Sequence, residues 1–355
     1  MTDLSLWAKA EQIAQVFRQQ GAVAIDTDVL QTADFLLDLY GEDIRARAYV
    51  TSDPLRGDLM LRPDYTVPIS RAFLDSGEKE ARYSYVGTVF RRQESDLNRA
   101  NEYIQVGYER FGDRNEPEAE ADVFCSIREA LDHPNLSVQT GDIQILTTAV
   151  QGLRTTPERR AALMRHIWRP RRFRSLLEKY AGLKPATNQG QARLSEEIPF
   201  IGLRQRQEVQ ARLDILQRET KTEPISKIEL DLLKEITQLK DTYSNVLSVL
   251  RDFAVDLPHL TDAIDTIERR LDALSKRGIN TDELIFEGSF GRTSMEYYDG
   301  FVFGFSLRTK MASLQVASGG RYNALLRQLG AVGNHGAVGG VIRPTLLQQA
   351  KEEQE

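Results

Sequence analysis

Apolar residues recur at helical spacing near the start of the chain. Trp7, Ile13, Ala14 and Phe17 form one stripe across residues 4–20, Asp3 can cap its N-terminus, and Gly21 stops it. From about residue 22 to 146, short extended-type runs alternate with a few helical stretches. The clearest strands lie at 58–61, 83–90 and 102–111. Residues 116–131 return to the helical period, with Val123, Ile127 and Leu131 on one side and acids in the first turn. From about 150 to 278 the chain is rich in Arg, Glu, Leu, Gln and Lys and poor in Gly. Stretches 227–250 and 260–275 read as helices there. Strand-like runs resume at 284–287, 300–307 and 313–317, and glycine rises between 319 and 340. This pattern predicts one α+β domain formed by residues 1–149 and 279–355, split in sequence by a mostly helical insert, 150–278.

Composition narrows the picture. The 355 residues carry a formal net charge of −6, which argues against broad, non-specific nucleic-acid binding. Cys125 is the one cysteine, so no intrachain disulfide or cysteine-rich metal site can form; a reducing, cytoplasmic setting is expected. Its neighbours on helix 116–131 place it in the core. No 18-residue apolar window predicts a membrane span, and the first residues do not read as a signal peptide. There is no phosphate-binding P-loop, dinucleotide fingerprint, HExxH pair or GxSxG elbow. The four histidines are scattered without ligand spacing. Neither a cofactor nor a metal is expected.

Polar residues inside strand-like runs carry the candidate chemistry. On an extended segment alternate side chains share a face, so Asp64 pairs with Thr66. Across 102–109, Tyr103, Gln105, Gly107 and Glu109 share one face, and Ile104, Val106 and Tyr108 the other. A carboxylate opposite an apolar face must meet water, a partner charge or a ligand, because burying it alone costs several kcal/mol. A solvated edge strand is the plain alternative. Arg91 and Arg92 follow the 83–90 strand and suit carboxylate or phosphate binding, or a surface ion pair. Residues 296–300 pair Tyr297 and Tyr298 with acids, and 318–323 read as a Gly-rich turn presenting Arg321 and Tyr322. Together these groups suit a small polar ligand; an amino acid is one.

In order and spacing, four blocks resemble the catalytic core of histidyl-tRNA synthetase, a class II aminoacyl-tRNA synthetase. They are LRPDYT (61–66), VFRRQESDLNRANEYIQVGYE (89–109), SMEYYDGFVF (294–303) and ASGGRYNALLRQLG (317–330). The resemblance runs across most of residues 5–345 and implies an antiparallel sheet flanked by helices. Residues 31–45 resemble the dimer-forming region near the first class motif. By resemblance, Asp64, Thr66 and Gln105 hold the histidine amino group, Glu109 and Tyr298 reach the imidazole, and Tyr297 and Tyr322 lie in that pocket. Arg91 takes the position that faces the amino acid carboxylate and the ATP phosphate. Asp64 stands where the synthetase has glutamate.

The departures from that pattern point elsewhere. Thr293 occupies the position of the histidine-specific catalytic arginine, and Arg292, one residue away, would face the other side of an extended strand. Gln93 replaces a glutamate. Asn101 replaces one of two loop arginines, with Arg99 retained. Thr345 and Leu346 stand at the Glu-Arg pair of the third motif, and Pro344 argues against Arg343 substituting there. Losing positioned cations from a phosphate-transfer site removes orders of magnitude in rate. The chain also ends soon after the third motif, so no anticodon-binding domain is expected.

A kept amino acid pocket beside a lost ATP site resembles the paralogous family of ATP phosphoribosyltransferase regulatory subunits. That resemblance implies a non-catalytic histidine sensor and activator in the first step of histidine biosynthesis. Its partners would be the short-form catalytic subunit and a second copy of itself, in a hetero-octamer. A truncated but active synthetase-like ligase is the alternative. Residues 165–174 hold five arginines; a solvated, ion-paired helix end is the simplest reading, partner docking the second and tRNA the third.

Overall fold

The computed structural model describes residues 4–33, 46–93, 100–184, 205–292, 297–310, 312–333 and 335–354. Asp3, Arg99, residues 293–296 and most of 31–45 lie outside the described residues, so the capping, loop-arginine, Thr293 and dimer-region expectations have no structural account.

The described strands are, in chain order, β1 (Val23–Ala24), β2 (Leu30–Thr32), β3 (Val50–Asp53), β4 (Gly57–Leu61), β5 (Ala81–Phe90), β6 (Glu102–Phe111), β7 (Ser137–Asp142), β8 (Lys240–Thr242), β9 (Ile285–Glu287), β10 (Phe301–Arg308), β11 (Ser313–Arg321) and β12 (Ala337–Ile342). Nine of them form one sheet in the order β1-β5-β6-β12-β11-β10-β7-β9-β8, and β2-β4-β3 form a second. The central run from β5 to β7 is antiparallel throughout, and β9–β8 is antiparallel as well. Parallel pairs occur only toward the flanks, β1 on β5 and β7 on β9. The fold is therefore the expected α+β architecture.

The sheet separates two chemistries. One face meets the helices Leu4–Gln19 and Glu116–Leu131 and buries Phe17, Ile104, Val106, Tyr108 and Phe124. Phe124 lies 4.9 to 6.2 Å, centre to centre, from Phe301, Phe303 and Phe305, alternate residues of β10. Burial of such rings, at about 25 cal/mol per Å², fixes the helix on the sheet. The opposite face carries Tyr65, Tyr85, Tyr297, Tyr298 and Tyr322 under the helices Thr66–Ser76 and Asn323–Gln328.

Two local expectations need correction. Stretch 227–250 is not one helix. Helix Lys227–Gln238 ends at an extended Leu239, β8 pairs with β9, and helix Tyr243–Asp256 starts anew. The Asp241 carboxylate accepts the Thr242 amide at 2.7 Å, the kind of local bond by which Asp competes with a continuing helix. Residues 318–321 are likewise no turn; they continue β11. Gly319 and Gly320 are required by close approach: a Cβ on Gly319 would sit 2.4 Å from the Gly339 carbonyl oxygen, and one on Gly320 2.6 Å from that of Phe301. Cys125 is only partly buried, packed against the core rather than inside it.

Candidate functional site

The tyrosine-bearing face holds a pocket. All eight residues singled out from the sequence line it: Asp64, Thr66, Arg91, Gln105, Glu109, Tyr297, Tyr298 and Tyr322. The alternation expected on β6 is what puts Gln105 and Glu109 there while Ile104, Val106 and Tyr108 enter the core. The edge-strand alternative is excluded. β6 is paired on both sides, by β5 and β12, and Gln105 and Glu109 are each 2 % exposed.

Register sets the distances along the pocket. Glu109 lies opposite Tyr83 of β5 and Gly339 of β12. Gln105 is four residues back on the same face, roughly 13 Å away at strand rise. Arg343 follows the Ile342–Val106 pair and so sits toward the Gln105 end. Asp64 and Arg91 belong to that end too: Arg91 Nη2 lies 3.9 Å from Asp64 Oδ2, and Arg91 Nε donates to the Pro63 carbonyl at 2.6 Å. Arg92 points away and is exposed. The departures Gln93 and Asn101 brace the mouth of the hairpin instead. Gln93 N donates to Asn101 Oδ1 at 3.1 Å, and Gln93 Nε2 to the Ala100 carbonyl at 3.1 Å.

Glu109 forms the inner end. Thr66 Oγ1 donates to its Oε1 at 3.1 Å, and the Tyr322 hydroxyl donates to its Oε2. Gly339 leaves room for the carboxyl, since a Cβ there would fall 1.4 Å from Oε2. Burial pushes the Glu109 carboxyl up to about 8; the Tyr322 and Thr66 donors pull it back, and the Asp64 charge adds to the rise. Burial raises the Tyr298 phenol as well, reinforced by Glu109. Burial raises the Tyr322 phenol too, so both tyrosines stay protonated at neutral pH.

Tyr85, Ser318 and Arg343 complete the lining. Tyr85 lies flat over Gly107, whose missing Cβ leaves the space. Arg343 Nη2 donates to Ser318 Oγ at 3.0 Å. Pro344 opens helix Pro344–Gln354, and Arg343, just past the end of β12, lines the pocket. Thr345 is exposed in that helix, and Leu346 packs against the core. Arg292 does not line the pocket; it sits in a turn after β9 rather than on the extended strand expected.

The pocket thus offers a buried carboxyl with phenols at one end and a carboxylate with guanidiniums toward the other. It can hold a short zwitterion with a polar, hydrogen-bonding side chain.

Fold and pocket together define a protein of the class II aminoacyl-tRNA synthetase type. A family model described as histidyl-tRNA synthetase matches residues 7–345. A curated relative from Rhizobium etli is 30% identical, covering 93% of this chain and 94% of its own, and one from Brucella anthropi is 27% identical, covering 90% of each. Both are named ATP phosphoribosyltransferase regulatory subunit. Among solved structures, an ATP phosphoribosyltransferase regulatory subunit/histidyl-tRNA synthetase from Bacillus halodurans superposes with a TM-score of 0.70 at 18% identity, covering 99% of this chain and 81% of that one. A histidine–tRNA ligase subunit from Alicyclobacillus acidocaldarius gives 0.62 at 20% identity, covering 100% and 96%. The chain belongs to the histidyl-tRNA synthetase family, on the branch whose curated members are named ATP phosphoribosyltransferase regulatory subunits.

Proposed function

We propose that this protein is a non-catalytic histidine sensor that activates the short-form catalytic subunit of ATP phosphoribosyltransferase. Histidine then acts as feedback inhibitor of the first step of histidine biosynthesis. The observation that carries the reading is the pocket's order of charges: Glu109 with Tyr298 and Tyr322 at the inner end, Asp64, Arg91 and Arg343 toward the outer. In this reading the imidazole meets Glu109 and Tyr298. The ammonium meets Asp64, Thr66 and Gln105, and the carboxylate meets Arg91.

The residues that stand at the synthetase's ATP-handling positions support a lost adenylation activity. Gln93 and Asn101 bond to each other across the hairpin mouth, and Leu346 packs against the core. A sensor needs to bind histidine but gains nothing by activating it. Coupling of about 1–3 kcal/mol between histidine and the state of the complex suffices for control. We assign recognition to the discontinuous core, 1–149 and 279–355, with 150–278 as an insert, and assembly to a homodimer within a hetero-octamer in the cytoplasm.

Isothermal calorimetry tests the site. Histidine is expected to bind the wild type, and Glu109→Ala and Tyr298→Phe to weaken it by about tenfold or more, the cost of one lost buried hydrogen bond to the ligand. Unchanged affinity in both variants would refute the site. Histidine-dependent ATP–pyrophosphate exchange by the wild type would refute the non-catalytic role.

A further inference from the structure

Outside the pocket, residues 165–174 gather cations at the turn between helices Pro157–Arg165 and Pro170–Tyr180. Within this run, Arg165, Arg171, Arg172 and Arg174 form no salt bridge among the described residues. The fold brings a further cation into the same corner. Arg292, just after β9, is 3 % exposed. Its Nε donates to the Ile167 carbonyl at 2.9 Å, and its guanidinium carbon lies 5.1 Å from the centre of the Phe173 ring. It is thus lodged between the Ile167 carbonyl and the Phe173 ring.

Its Nη2 is buried and has no hydrogen-bond partner. No carboxylate pairs with it among the described residues, and its charged neighbour is Arg174. Burial and then Arg174 push its guanidinium down to about 10. His166 Nδ1, at the same turn, is also buried without a partner. Glu178, one helical turn beyond Arg174, is engaged by Lys184 at 2.9 Å. A buried guanidinium whose charged neighbour is another cation is costly unless a counter-charge arrives from outside the chain. The first turn of helix Pro170–Tyr180, where Phe173 sits, adds the positive end of its dipole.

We propose that this corner is an oxyanion site for a phosphate group, with Arg292 as the inner cation and Arg174 as the outer. A doubly charged oxyanion matches two guanidiniums, each able to offer paired N–H donors. None of these residues lines the amino acid pocket, so the inference stands independently of the proposed function.

The test uses the full chain, with inorganic phosphate and pyrophosphate as probes and chloride or acetate at matched ionic strength as controls. Phosphate or pyrophosphate is expected to raise Tm above the controls and to bind in calorimetry. Arg292→Met is expected to weaken that binding at least tenfold and, without phosphate, to melt no lower than the wild type, because it removes an uncompensated charge. Arg174→Gln, at an exposed position, is expected to weaken binding several-fold without affecting folding. Equal Tm in phosphate and chloride would overturn the proposal, as would undiminished binding by Arg292→Met. Were Arg292→Met not to fold, undiminished binding by Arg174→Gln would overturn it. Binding of a short RNA with no response to either free anion would overturn it in favour of nucleic acid.

Discussion

Glu109 keeps a proton well above the usual carboxylate range, because little water reaches it between Tyr322, Thr66 and Gly339. In the unfolded chain it titrates near 4.5; in the folded protein, at about 8. Between those values the folded state binds a proton that the unfolded state has released. Its stability contribution therefore falls as pH rises through that window and levels off above it. Glu109→Gln removes the titration. Thermal unfolding from pH 5 to 8 is expected to show Tm declining more steeply for the wild type than for the variant; parallel curves would contradict the assignment. At this scale the sequence was informative wherever strand alternation applied. Gln105 and Glu109 were legible because polar side chains interrupt an otherwise apolar strand. Tyr85, Ser318 and Arg343 were not. Each reaches the pocket through register between strands distant in sequence, and Arg343 was masked by the proline behind it.

Among elements, the least expected feature is a charged cluster buried under the sheet. Arg270, on helix Thr261–Lys276, is fully buried; it donates to Glu120 at 2.5 Å and to Asp142 at 2.7 Å. Arg321, at the end of β11, lies 3.4 Å from Glu120 and 2.6 Å from Glu116. One cluster thus ties the last helix of the 150–278 block to helix Glu116–Leu131 and to the residue before Tyr322. Removing one partner leaves buried charges unmatched, which typically costs about 3–5 kcal/mol. Arg270→Met is expected to lower the unfolding free energy by that amount in urea titrations, while a loss below about 1 kcal/mol would mean the cluster is solvated. No periodicity foretold it, since Arg270 reads as an ordinary polar position on an amphipathic helix. Helical pattern also ran through the break at Leu239, where a three-residue strand is held by β9, a partner some 45 positions on. Local pattern cannot register such pairing.

For the whole molecule, the separation of faces organises the account. One face of the nine-stranded sheet is closed by helices and aromatic packing, and the other opens into the pocket lined by Glu109, Tyr298 and Tyr322. Among the described residues, no helix is long and apolar enough to cross a membrane. The α+β architecture was legible from β-rich stretches flanking a helical block, and the family from four motif blocks. The basic run at 165–174 was visible as composition, but its meeting with Arg292 was not, because the two lie more than a hundred residues apart. In the proposed role, a pocket that binds histidine without activating it controls a partner enzyme. The most direct measurement is the rate of phosphoribosyl-ATP formation by the short-form catalytic subunit from the same organism, alone, with this protein, and with this protein plus histidine. A higher rate is expected on adding the protein, suppressed by histidine and not suppressed when Glu109→Ala is used. A rate unchanged by the protein, or activation that histidine leaves untouched, would contradict the proposed role.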